Sequence, residues 1–223
     1  MSKANAAAVN PSTSDLAWQG RVQLHSNSFQ IFGLPRSFAI DKTLLTERFH
    51  QLMQAVHPDR HATAAQADRR QAMQWASRVN QAYRDLMHPL TRAQLLCALA
   101  GAPFDRHNSQ LPTAFLMQQM QWREDLECIS ETLQASDAAC RSVAASTAQA
   151  QRLQALERVE MQIRQAIEAL AESFAQSSVA RGEAQDPEAL KQAAETLKQW
   201  MFLEKFIDDL EQQRMQWLEV QPS

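Results

Sequence analysis

Two stretches of helical periodicity meet at His57-Pro58-Asp59, and this junction constrains the chain's first half more than any other feature. Before it, Leu45, Phe49, Leu52 and Val56 recur at spacings of four, three and four, which places them on one helix face. Asp41 stands where an N-cap is needed, its carboxylate able to accept from the free amides of the first turn. Pro58 has no amide proton and biases His57 away from helical dihedrals, so the helix is expected to stop there. Beyond it, Met73, Ala76, Val79, Tyr83 and Leu86 repeat the one-face pattern. Two antiparallel amphipathic helices with a polar tip follow.

The rest of the chain is also written for helix. Its 223 residues hold only four glycines, Gly20, Gly33, Gly101 and Gly182, each at an apparent break between elements. Alanine, glutamine, leucine and arginine dominate elsewhere and favour helix over strand. Three helices are expected in the second half, from about Pro112 to Leu133, Asp137 to Arg181, and Asp186-Pro187-Glu188 to Trp217 or Leu218. Pro112 and Pro187 suit a first turn, Asp186 a cap, and Gly182 a C-terminal stop. The alanine-rich stretch from Ser130 to Gln151 is weakly patterned and leaves room for a break.

One of these helices has more apolar surface than a small bundle needs. Phe115, Trp122, Leu126, Ile129 and Leu133 share a narrow sector and suffice for a core stripe. Leu116, Met117 and Met120 lie well round from Phe115, on a side that also carries Glu124. Exposed apolar residues bordered by acids mark interaction surfaces, and methionine suits an adaptable one. The alternative is that Leu116 and Met117 pack on the first half across the Gly101 connection. In the last helix Ala193, Trp200, Leu203, Ile207 and Leu210 form the stripe, while Phe202 points away from its centre.

With its flanking helices, the His57-Pro58-Asp59 tip resembles a J-domain, the module that engages DnaK-type ATPase chaperones. Phe29 to Leu34 matches that module's short opening helix, and Val79-Asn80-Gln81-Ala82-Tyr83 its third. The run His88-Pro89-Leu90-Thr91-Arg92-Ala93, the stretch on to Gly101, Thr113 to Met117 and Phe202-Leu203-Glu204-Lys205 resemble the HscB family of iron–sulfur co-chaperones. The resemblance spans roughly residues 27 to 219. It implies an all-α, L-shaped molecule with an N-terminal J-domain hairpin and a C-terminal three-helix bundle. The expected layout is a disordered tail over 1–24, the J-domain over 25–100, a connector over 101–112 and the scaffold-binding domain over 113–223.

The same resemblance implies partners and sites. His57, Pro58 and Asp59 would trigger ATP hydrolysis in the ATPase chaperone HscA, with Arg48, Arg60 and His50 adding docking charge. The helix before the triplet is less basic than in many J-domains, which implies selectivity for a dedicated partner. Leu116, Met117, Met120, Glu124 and Phe202 match the surface that binds the scaffold protein IscU. Gln121 and Cys128 replace acids common on that face, leaving Asp125 and Glu127 to supply its charge. A J-protein for a different client, and a helical binding protein with an accidental triplet, remain open readings of the residues alone.

Several function classes are disfavoured. Cys97, Cys128 and Cys140 are isolated, without zinc-ligand spacing, and their odd number argues against a disulfide framework. They fall on different expected helices, unlike the converging thiolates of a cluster site, so no cofactor or metal is expected. No nucleophile with a base and no glycine-rich phosphate loop accompanies His57 and Asp59, so the chain is not expected to be an enzyme. Residues 25–100 hold nine Lys/Arg against five Asp/Glu, a net +4, and residues 101–223 a net −8. That asymmetry suits two differently charged partners, but +4 over several helices falls short of a nucleic-acid stripe. No apolar run reaches the ~20 residues of a membrane span, and Met1 to Ser14 lack a signal-peptide core. A cytoplasmic protein that binds neither membrane nor nucleic acid is expected.

Overall fold

The computed structural model describes residues 22–56, 66–101, 111–137, 143–183 and 186–219. Among them are seven helices and no strand: α1 Ser28–Ile31, α2 Lys42–Val56, α3 Gln66–Met87, α4 Pro89–Leu99, α5 Thr113–Asp137, α6 Val143–Gln176 and α7 Pro187–Glu219. The all-α architecture, a helical hairpin followed by a helical bundle, is as the sequence leads one to expect.

Local chemistry sets the starts. Asp41 Oδ1 accepts from the amides of Thr43 and Leu44 at 2.9 and 3.1 Å and caps α2. Asn27 and Gln30 form a reciprocal capping box around α1. Asp186 Oδ1 accepts from Glu188 N–H at 3.2 Å, and Pro187 opens α7 where no amide donor is missed.

The hairpin of α2 and α3 closes on Leu45, Leu52 and Val56 from one side and Trp75, Val79, Ala82 and Leu86 from the other. Near its base, Phe49 stacks on Tyr83 with ring centroids 4.2 Å apart, and Thr46 Oγ1 lies 3.2 Å from the Tyr83 hydroxyl. Here the α3 stripe corrects the expected one. Ala72, Trp75, Val79, Ala82 and Leu86 are buried, Ala76 and Tyr83 half-buried, and Met73 is 61% exposed. Both faces read as apolar at helical spacing, and the hairpin takes the one that buries the Trp75 indole.

Elsewhere the helices differ from expectation mainly at their ends. The first helix of the bundle runs on to Asp137 instead of stopping near Leu133. Its successor starts at Val143 and ends at Gln176, followed by a turn from Ser177 to Gly182 instead of helix to Arg181. Val22, expected within the N-terminal tail, is buried in the hairpin's core.

This core does not stop at the hairpin. One continuous cluster joins Phe29, Phe32, Leu45 and Leu96 to Phe174, Val179, Leu197 and Trp200 of the bundle. Phe38 is its wedge: the ring meets Phe174 edge-on at 5.3 Å and Trp200 at 6.1 Å, and its amide donates to Ala180 O at 2.7 Å. The Arg92 guanidinium lies over the same ring, 4.8 Å from its centroid, and donates through Nη1 to Leu86 O. Burial holds the Arg92 pKa below the ordinary arginine value. Gly182 has φ 73° and packs against the carbonyl of Arg36, where a Cβ would stand 2.5 Å from the oxygen. Both its dihedral and this close approach call for glycine.

A second core holds the bundle together: Trp122 and Leu126 of α5, Leu156, Val159 and Ile163 of α6, and Leu203, Phe206, Ile207 and Leu210 of α7. At its surface, Arg164 bridges Glu160 and Glu211 at 2.8 and 2.7 Å, and Arg214 reaches Glu160 at 3.2 Å.

Candidate functional site

The sequence points to two sites, the hairpin tip and a face of α5. α2 stops at Val56 and α3 begins at Gln66, so His57, Pro58, Asp59 and Arg60 lie outside the described residues, as do His61 and His107. The described residues give the two helix ends that flank the tip, Val56 and Gln66.

The structure reassigns Arg48. This side chain is buried, and Nη1 donates to the carbonyls of Phe32 and Gly33, the second at 2.8 Å. Those carbonyls follow α1, where no further helical turn supplies donors. Arg48 is therefore a buried structural clasp between α1 and α2, unlike the exposed docking charge expected of it. His50 is exposed on α2, and His25 and His88 are exposed as well.

The second surface is on α5. Leu116, Met117 and Met120 are 43%, 67% and 61% exposed, with Glu124 exposed one turn on. Exposure on this scale weighs against the alternative in which Leu116 and Met117 are buried on the first half of the chain. Phe202 is only half-exposed, because its ring meets Phe115 edge-on at 6.1 Å in the bundle core's outer layer. It can present one edge to a partner while holding α5 against α7. Asp125 and Glu127 are exposed, and Gln121 Nε2 donates to Asp125 Oδ1 at 3.3 Å, so acid remains beside Gln121. The side chains of Cys128, Ile129 and Leu133 lie outside the described residues, as does Cys140.

Beneath this face sits a residue that the sequence reading passed over. Gln119 is buried, and its Nε2 finds no acceptor among the described residues. A signal was available: Gln119 is four residues after Phe115 and three before Trp122, squarely on the core stripe. Trp122, by contrast, is satisfied, donating from Nε1 to Gln162 Oε1 at 3.1 Å. Nothing in this arrangement resembles a catalytic centre. The one described cysteine side chain, Cys97, is buried, and desolvation pushes its pKa up to about 11, away from a reactive thiolate.

The family model of the HscB C-terminal oligomerisation domain matches residues 111–152, which enclose the exposed face of α5. The co-chaperone protein HscB homolog of Bordetella pertussis is 40% identical over 184 residues, spanning 82% of this chain and 92% of that one. The chain belongs to the HscB co-chaperone family. The HscB homolog of Burkholderia vietnamiensis is 38% identical over 190 residues, covering 85% and 94% of the two chains. Among solved structures, chaperone HscB from Vibrio cholerae superposes with a TM-score of 0.63 at 29% identity, covering 86% of this chain and 99% of that one. Human co-chaperone protein HscB shares the fold, with a TM-score of 0.67 at 20% identity and 89% of each chain covered.

Proposed function

We propose that this protein is a cytoplasmic co-chaperone of iron–sulfur protein maturation that binds two partners at once. Through His57, Pro58 and Asp59 it stimulates ATP hydrolysis by an HscA-type, DnaK-like chaperone. Through Leu116, Met117, Met120, Glu124 and the free edge of Phe202 it holds the scaffold protein IscU. Neither step needs bond chemistry from this chain, a cofactor, a nucleic acid or a membrane. No helix among the described residues is long and apolar enough to cross a bilayer.

The observation that carries the reading is the apolar face left in water on α5 of an HscB-family chain. Three large side chains there keep 43–67% of their surface in water, and a partner that covered them would remove that apolar area from it. Holding scaffold and ATPase on one molecule raises the effective concentration of each for the other. The continuous core through Phe38 supports this, because a firm joint keeps the two surfaces in one orientation.

Single-turnover ATP hydrolysis by the cognate HscA-type chaperone tests it, with and without the scaffold protein. Strong stimulation that needs the scaffold and vanishes with Asp59→Asn is expected. Stimulation indifferent to the scaffold would point to another client; none at all, with an active ATPase, would sink the reading. The double variant Leu116→Ala/Met120→Ala should weaken scaffold binding roughly tenfold or more. Its unfolding free energy should stay within about 1 kcal/mol of the parent, since both side chains are exposed. Phe202 is a poorer probe, as its truncation would also strip Phe115 of its ring partner.

A further inference from the structure

With Arg48 turned inward, α2 has no exposed cation near the tip. Its exposed positions are Lys42, Thr43, Glu47, His50, Gln51 and Gln54. Lys42 and Glu47 cancel, and Lys42 starts the helix about 20 Å from its tip end at 1.5 Å per residue. If an acidic partner docks on this hairpin, the attraction has to come from elsewhere.

The other helix supplies it. Arg69 and Arg70 are exposed in the first turns of α3, at the tip end, and Met73 follows three and four residues later on the same face, 61% exposed. Folding gives no reason for this trio. The positive end of the helix dipole disfavours cations there, and Asp68 in the same turn leaves it net positive. Met73, 61% exposed, is left out of the buried core. Among the described residues neither guanidinium has a carboxylate partner. The other two arginines of α3 are occupied: Arg78 donates to Leu24 O and Ser26 O at 3.2 and 2.8 Å, and Arg84 to Gln81 Oε1 at 3.1 Å.

We propose that Arg69, Arg70 and Met73 form the electrostatic docking face of the J-domain, with an acidic, partly apolar protein surface as its occupant. This rests on the function proposed above, under which that surface belongs to the ATPase chaperone. Met73 supplies the apolar centre, adaptable and unbranched, and the two guanidinia make charge-assisted hydrogen bonds to carboxylates around it. The tip then acts as trigger and α3 as steering surface.

The test uses the full chain and steady-state ATP hydrolysis by the cognate ATPase, titrated with wild type, Arg69→Glu/Arg70→Glu, Met73→Ser and Asp59→Asn. Charge reversal should raise the half-saturating concentration about tenfold or more, leave maximal stimulation intact, and abolish its dependence on salt. Met73→Ser should raise it less, and Arg69→Lys/Arg70→Lys should restore most of the affinity. Asp59→Asn should do the opposite, removing stimulation itself. Acidic residues at this position favour the helix, so the reversed variant should melt no earlier than the parent and misfolding cannot mimic the effect. Unchanged titration by the reversed variant, beside an active parent and a dead Asp59→Asn, would overturn the docking face alone. A loss of scaffold binding with ATPase docking unaltered would also overturn it, by giving the face to the other partner. A parent that never stimulates would remove the proposed function and this inference with it.

Discussion

Truncating Phe38 to alanine should loosen the joint between hairpin and bundle while leaving both helical cores filled. The ring is buried between Phe174 at 5.3 Å and Trp200 at 6.1 Å, both edge-on, and carries the Arg92 guanidinium at 4.8 Å. Removing a buried phenyl ring costs about 3–5 kcal/mol in a core that cannot collapse. The site is at the rim of the cluster, so the lower end applies, about 3 kcal/mol. Each edge-to-face contact accounts for about 0.5–1.5 kcal/mol and the cation–π contact for about 0.5–2 kcal/mol, within that total. The backbone bond from Phe38 N–H to Ala180 O survives the change. Urea unfolding followed by tryptophan fluorescence and by circular dichroism measures the difference, and Phe38→Leu should lose less than about 1.5 kcal/mol. A double-mutant cycle with Arg92→Met isolates the cation–π share. A loss below about 1 kcal/mol for Phe38→Ala, at unchanged denaturant slope, would refute the wedge.

Arg48→Ala should cost about 2–3 kcal/mol in the same unfolding assay, because the carbonyls of Phe32 and Gly33 lose a charged donor; maximal ATPase stimulation by the folded fraction should be unaltered. Gln119→Leu removes a buried amide donor without an acceptor, and a gain of about 1 kcal/mol in unfolding free energy is expected. Cys97 is predicted to make stability fall in alkali. Its folded pKa of about 11 exceeds the reference 9.0, so the folded state holds the proton more tightly, and the contribution is present below pH 9 and lost as pH rises towards 11. Two units correspond to a loss of at most about 3 kcal/mol, which Cys97→Ala should abolish in unfolding curves taken across that range.

The elements themselves were legible because each depends on neighbours along the chain. Asp41 and Asp186 cap where their spacing to the next amides allows, and the stripe Ala193, Trp200, Leu203, Ile207 and Leu210 is buried throughout. The exposed face of Leu116, Met117 and Met120 was legible for the same reason: a helix with one sufficient stripe leaves the rest outside. Periodicity was silent wherever the answer lay on another element. On α3 it offered two overlapping apolar faces and favoured the one with Met73, and only the packing of Trp75 against α2 decided between them. Arg48 read as surface charge because arginines usually are; the two carbonyls that claim it belong to a different helix end. Phe38 lies in a connection with no period at all, yet it joins the two halves. The sequence by itself determined that hairpin and bundle are helical, that α2 and α7 start behind Asp41 and Asp186, and which face of α5 is surplus. Tertiary structure alone decided which cations stay in water, which methionine is left out, and that hairpin and bundle share one core, since each is settled by groups far away in the chain.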